Sequence, residues 1–112
     1  MRGINICVIG GNLGKDPEIK FTQGGVSVVK FPLALNSKDK EKKDITQWFN
    51  VVAFAGLAEI CEPLSKGDEV VCHGSFVSRS WENDNGQKQT VYELHAREII
   101  FVSVKKWKEK TQ

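Results

Sequence analysis

Histidine is nearly absent from this sequence: His73 and His95 are its two copies in 112 residues, and neither belongs to a recognisable nucleophile or ligand motif. With histidine go the commonest general base and metal ligand. Both copies read as structural or interface residues, and no catalytic constellation stands out elsewhere. Cysteine comes as Cys7, Cys61 and Cys72, an odd number without CxxC spacing, each within or beside apolar residues. A disulfide framework or a zinc site needs paired, closely spaced cysteines, so buried free thiols are expected, with no metal and no cofactor. Long apolar runs are missing too. The longest near the start, Ile6 to Ile9, is cut by Gly10-Gly11, which leaves no signal-peptide core and no membrane span and points to a place inside the cell. The glycines of residues 10–14 lack the strand–loop–helix setting and the lysine of a phosphate-cradling loop. Nor is there a large net charge, which is +2 overall. Four lysines against Glu109 put +3 on residues 103–112, so the other 102 residues carry 12 basic and 13 acidic groups. Any polyanion bound by the body must be held by locally placed cations and by something other than bulk charge.

What is present is a single globular domain of modest core, with 40% hydrophobic and 27% charged residues, ten glycines and three prolines. That balance is neither disordered nor collagen-like. β-Branched and aromatic residues in short runs, punctuated by glycine pairs, predict strands almost throughout. A first strand is expected over residues 4–9, resuming over 18–22 after a bend at 10–14. Gly24-Gly25 suits a tight hairpin turn. The second strand, 26–36, sets Val29, Phe31, Leu33 and Leu35 on one face, and Pro32, lacking an N–H, marks an edge or a bulge. Residues 38–44, KDKEKKD, read as a solvated hairpin tip. After a third strand over 48–55, Leu57, Ile60, Cys61 and Leu64 recur at i, i+3, i+4 and i+7. They predict one short amphipathic helix ending near Gly67, with Lys66 well placed at its C-terminus. Strands four and five, over 70–81 and 90–104, flank the hairpin signal Asn85-Gly86. Five strands with one short helix between the third and fourth is the all-β layout of the OB-fold, a five-stranded Greek-key barrel. Barrels of this kind bind oligonucleotides or oligosaccharides on strands 2 and 3 and the 1-2 and 4-5 loops. Residues 1–104 are expected to form this domain and 105–112 a short basic C-terminal segment.

The third strand is apolar on both faces, with Trp48, Val52 and Phe54 alternating with Phe49, Val51 and Ala53. A small barrel has one core to fill, so the second face is expected to meet a ligand or another subunit. Parity and hairpin geometry put Trp48, Phe54 and Trp81 on or beside the non-core surface. An aromatic ring there stacks on an unpaired base for about 1–3 kcal/mol whichever base it is. The competing reading assigns Trp48 and Phe54 to the core or to a subunit contact. Arg79, two residues before Trp81 on the same face, and Lys20 would supply phosphate contacts.

The ordered segments Arg2-Gly3-Ile4-Asn5, Gly11-Asn12-Leu13-Gly14-Lys15-Asp16-Pro17-Glu18, Phe31-Pro32-Leu33-Ala34, Trp48-Phe49-Asn50-Val51-Val52-Ala53-Phe54, Leu57-Ala58-Glu59, Lys66-Gly67 and Arg79-Ser80-Trp81 carry a resemblance. Over nearly the whole chain the sequence resembles the bacterial-type single-stranded DNA-binding proteins, homotetrameric OB-fold proteins. The resemblance implies sequence-independent binding and protection of single-stranded DNA during replication, repair and recombination, in the cytoplasm and associated with the nucleoid, with no reaction catalysed. The family's base-stacking aromatics fall on Trp48, Phe54 and Trp81, its N-terminal arginine on Arg2, a second phosphate-facing arginine on Arg79 and a basic position after the first strand on Lys20. Lys66 and Asn50, within the matching segments, complete the expected DNA-contacting set.

Departures from the pattern sharpen these expectations. Phe49 stands where the family has a histidine of subunit contact, which makes it the expected interface residue of a tetramer built as a dimer of dimers. A further stacking tryptophan of some members has no counterpart in residues 37–44, and a lysine common before Leu57-Ala58-Glu59 is replaced by Gly56. The family's Gly/Pro/Gln-rich linker and acidic tail do not appear before the sequence stops at Lys110-Thr111-Gln112. This fits either the DNA-binding core of a longer protein or a short member without the segment that recruits replication and repair proteins. Two rival functions share the fold: an assembly module that binds replication proteins through the apolar faces, and an RNA-binding OB module, which would use the same stacking surface.

Overall fold

The computed structural model describes residues 3–106. Its elements are β1 (Cys7–Leu13), β2 (Glu18–Phe21), β3 (Ser27–Lys38), β4 (Asp44–Phe54), α1 (Gly56–Ile60), β5 (Glu69–Glu82) and β6 (Lys88–Ser103). Because β1 pairs with β5 on one side and with β3 on the other, the order β1-β5-β6-β4-β3 closes into a ring of five strands, and β2 lies along the outer part of β3. Every pairing is antiparallel except β4 with β6. This is the OB barrel expected from the sequence, with β1 and β2 together making its first strand. Among the described residues no helix is long and apolar enough to cross a membrane.

The first strand follows a different path from the expected one. β1 starts at Cys7 and runs through Gly10-Gly11 without a break. The glycines serve closure: a Cβ at Gly11 would overlap the carbonyl of Ala34, where β1 crosses β3 and pairs Asn12 with Ala34 and Leu13 with Leu33. The break falls at residues 14–17, before β2 pairs Glu18 with Lys30. Pro32 sits at that break, its carbonyl accepting from the Gly14 N–H at 2.9 Å. Within a strand one residue's N–H and C=O point to the same side, so the N–H that proline lacks would have pointed into the gap. Ahead of β1, Ile4 and Ile6 are exposed, and the Asn5 side chain stands in for a strand partner by donating to the Phe76 carbonyl and accepting from its N–H.

The helix is shorter than its apolar spacing suggested. It ends at Ile60, and Pro63 follows three residues later; the residue before a proline is pushed out of the helical region. Ile60 is exposed, while Ala58, Cys61 and Leu64 are buried against the barrel. Lys66 lies beyond the turn after α1, so it does not act on the helix terminus as expected.

Core residues come from every wall of the ring: Ile9 and Leu13, Val29, Phe31 and Leu33, Val51 and Ala53, Val70 and Cys72, and Leu94. Burial pushes the Cys61 thiol up to about 11, and burial with the charge of Cys61 takes Cys72 up to about 12. Such thiols stay protonated and unreactive at neutral pH. Asp68, buried at the barrel end, accepts from the Ser65 and Lys105 N–H groups and so ties the end of β6 to the loop before β5.

Candidate functional site

Alternation along β4 decides what faces outward. Val51 and Ala53 enter the core, so Trp48, Asn50, Val52 and Phe54 stand on the opposite face of the sheet. The register extends that face sideways. Pro32 on β3 and Glu93 on β6 oppose Asn50, while Lys30 and His95 oppose Val52. Phe54 opposes Val28, which in turn opposes Lys20 on β2. On the hairpin arm of β5 and β6, Arg79 opposes Val91 and Trp81 opposes Gln89. Between these rows lies a groove of about 500 Å3 whose walls include Trp48, Asn50, Arg79, Lys30 and Glu93.

Each aromatic is held from behind and open in front. Trp48 is 60% exposed, and its six-membered ring lies so close to Gly14 that a Cβ there would overlap it. The rings of Phe54 and His95 meet in a T-shaped contact, centroids 5.4 Å apart. It is the last residue of β4, and Ala55 after it holds a left-handed φ of 55° that turns the chain into α1. Such a backbone costs of order 1–3 kcal/mol and persists only when its surroundings enforce it. Here Ser27 does so, its carbonyl accepting from the Ala55 N–H and its hydroxyl donating to the Ala55 carbonyl. Trp81 carries the Arg79 guanidinium 5.1 Å from its ring centroid.

Glu93 is the electrostatic centre of this face. Its side chain is 8% exposed, with Lys30 Nζ at 3.7 Å, Arg79 Nη2 at 3.4 Å and His95 Nε2 at 3.3 Å from its carboxylate oxygens. Burial by itself raises the Glu93 carboxyl; the hydrogen bonds from His95 and Arg79 and the charges of Lys30 and Arg79 outweigh it and hold the group below the ordinary glutamate range.

The structure thus brings Trp48, Asn50, Phe54, Arg79, Trp81 and Lys20 onto one face. Lys66 stands apart from the groove walls; its N–H donates to Asp16, a groove residue, at 2.7 Å, and its carbonyl accepts from Lys105. Arg2 lies outside the described residues. Phe49 is half-buried on the core side, its ring centroid 6.0 Å from that of Phe76.

The single-strand binding protein family profile matches residues 4–102. The chain belongs to that family. Among single-strand binding relatives, it is 37% identical over 111 residues to single-stranded DNA-binding protein 1 of Xylella fastidiosa strain 9a5c, covering 94% of this chain and 82% of the relative. It is 39% identical over 103 residues to the single-stranded DNA-binding protein of the Temecula1 strain, covering 88% of this chain and 63% of that one. In three dimensions it is similar to a Plasmodium falciparum single-strand binding protein solved in complex with single-stranded DNA. There the TM-score is 0.83 at 26% identity, over 92% of this chain and 98% of the other.

Sequence reasoning missed Glu93, Lys30 and their pairing. Parity alone sets Glu93 opposite Leu94 and so away from the core, but its neighbours on that face depend on the parallel β4–β6 register, which joins residues 43 positions apart and leaves no local trace. The same register made His95 part of the groove face.

Proposed function

We propose that this chain binds single-stranded DNA without sequence preference, in the groove on the outer face of β3, β4, β5 and β6. The observation that carries this reading is the placement of Trp48, Phe54 and Trp81, all substantially exposed, on one sheet face among Lys20, Lys30 and Arg79. Unpaired bases stack on such rings and the phosphates between them pair with the cations. A duplex hides its base faces, so it meets only the charges. The names of the Xylella relatives and the DNA-bound Plasmodium neighbour support the same reading. Residues 1–104 form the binding domain, acting in the cytoplasm at the nucleoid, and no reaction is catalysed. Arg2 and Lys66 serve as accessory phosphate contacts.

The chain works as a homotetramer. A second exposed surface, whose apolar groups are aliphatic, lies on the outer side of β1, β5 and β6, where Val8 opposes His73 and His73 opposes Glu98, Val71 opposes Ile100, and Ile6 and Val102 are exposed as well. This strip, more than the second face of β4, is the surface that self-association would cover.

Titration of the intrinsic tryptophan fluorescence with oligo-dT, a mixed single strand, duplex DNA and RNA at two salt concentrations tests the function. Strong quenching by both single strands and little by duplex is expected. Equal response to duplex refutes stacking, a preference for RNA makes the chain an RNA module, and no response at all leaves the assembly-module reading.

A further inference from the structure

We propose that Glu93 is an internal competitor for the strand's phosphates: nearly buried in the groove wall, it shares Arg79 and Lys30 with them and so limits how tightly a strand is held. The inference rests on the DNA-binding reading above. Side chains from three strands converge on this one carboxylate, Lys30 from β3, Arg79 from β5 and His95 from β6. The carboxylate is nearly buried, whereas the side chains of Lys30 and Arg79 are 44% and 53% exposed. Both cations therefore have one side toward Glu93 and another toward the groove. An arginine has five N–H donors, and the single bond of Arg79 to Glu93, 3.4 Å long, leaves most of them to a phosphate.

The other charged groups lining the groove are Glu18 from β2 and Lys15 and Asp16 from the 14–17 break; β4 contributes no charge, only Trp48 and Asn50. Lys30, Arg79 and Glu93 sum to +1. A glutamine would fill nearly the same volume and leave +2. The carboxylate, 8% exposed in the groove wall, thus subtracts from the attraction for a polyanion, since Coulomb forces act without contact.

The test is Glu93→Gln in the full chain, titrated with oligo-dT across a salt series, with far-UV circular dichroism reporting the fold. Affinity should rise roughly fivefold, the scale of a partly exposed ion pair. The salt slope should steepen by up to one phosphate contact, about 0.7. Unchanged affinity overturns the proposal, and weaker binding does so too, since it would make Glu93 a positioning residue that holds Arg79 over Trp81. If the variant does not fold, Arg79→Ala is compared in the wild type and in Lys30→Gln. Without Lys30 the carboxylate claims Arg79 more fully, so Arg79→Ala should cost a smaller factor there; equal factors overturn the proposal. A wild type that binds no oligo-dT at any salt instead fails the functional reading itself.

Discussion

Two exposed apolar surfaces lie on different sides of this barrel, and their chemistry differs. One is aromatic and interleaved with charge, with Trp48, Phe54 and Trp81 among Lys20, Lys30, Arg79 and the buried Glu93. The other carries aliphatics, Ile6, Val8, Ile100 and Val102, with His73 and Glu98 in the row of Val8. A ring offers a flat π-face to a base, and the cations beside it offer partners to the phosphates. Branched aliphatics offer neither, but they interdigitate well with a second copy of themselves. Apolar exposure alone would not have separated a ligand site from an assembly surface; the shape of the apolar groups, flat rings or branched chains, does.

The largest effect expected from breaking this comparison is on assembly. Val8→Lys or Ile100→Lys puts a charge at each copy of a self-complementary contact and should dissociate the tetramer, halving or quartering the mass seen by light scattering, with the barrel's own melting little changed. Phe49→Lys is different in kind, because its ring packs on Phe76 at the core's edge. It should also lower barrel stability, by about 1–3 kcal/mol, since it buries part of a charged side chain. A wild type that scatters as a monomer removes the assembly argument.

On the aromatic face, Trp48→Ala, Phe54→Ala and Trp81→Ala should each weaken oligo-dT binding by about 1–3 kcal/mol while leaving mass and far-UV spectrum intact. Gly14→Val sharpens the point. The new side chain must displace the Trp48 ring, and because that ring is exposed it can swing away at little cost to folding. Binding should therefore fall while the melting temperature holds, and the reverse pattern would show that Gly14 serves the barrel rather than the groove.

How much of this division was legible in the sequence depends on the range over which each feature is encoded. Strand alternation is local, so the outward placement of Trp48 and Phe54 and the inward placement of Val29, Phe31 and Leu33 could be read from parity. Turn residues are local too, as Gly25 and Gly86 show by taking φ near 80° in their hairpins. Closure is not local. Gly10-Gly11 looked like a bend because nothing nearby reveals that β3 passes against Gly11. The contact of Phe49 with Phe76, 27 residues on, leaves no local trace either, and the helix looked longer because its apolar spacing runs past the stop imposed by Pro63.

A smaller effect concerns acid. Glu93 is held below its ordinary value, so its interactions stabilise the fold above the unfolded-state pKa, about 4.3, and are lost as the pH falls through the lower folded value. Melting temperatures of the wild type and Glu93→Gln should differ most near neutrality, with the wild type higher, and converge below about pH 4. A difference that is constant or widens in acid contradicts the ion cluster.

The smallest expected effect is that of the C-terminal lysines. Lys105 is fastened to the barrel, its N–H on Asp68 and its Nζ on the Lys66 carbonyl at 3.1 Å. Removing residues 107–112 spares these bonds and takes away Lys108 and Lys110 with Glu109, a net change of one charge, together with Trp107. Loss of Trp107 leaves Trp48 and Trp81 as the only indoles, so quenching by oligo-dT should become deeper in proportion if both lie in the groove. The salt slope should change by less than one phosphate contact, about 0.7, because the cations that meet the strand are those of the groove. A larger drop would carry the path of the strand past the groove to the end of the chain, and the division between the two surfaces would then have to include a third, purely electrostatic one.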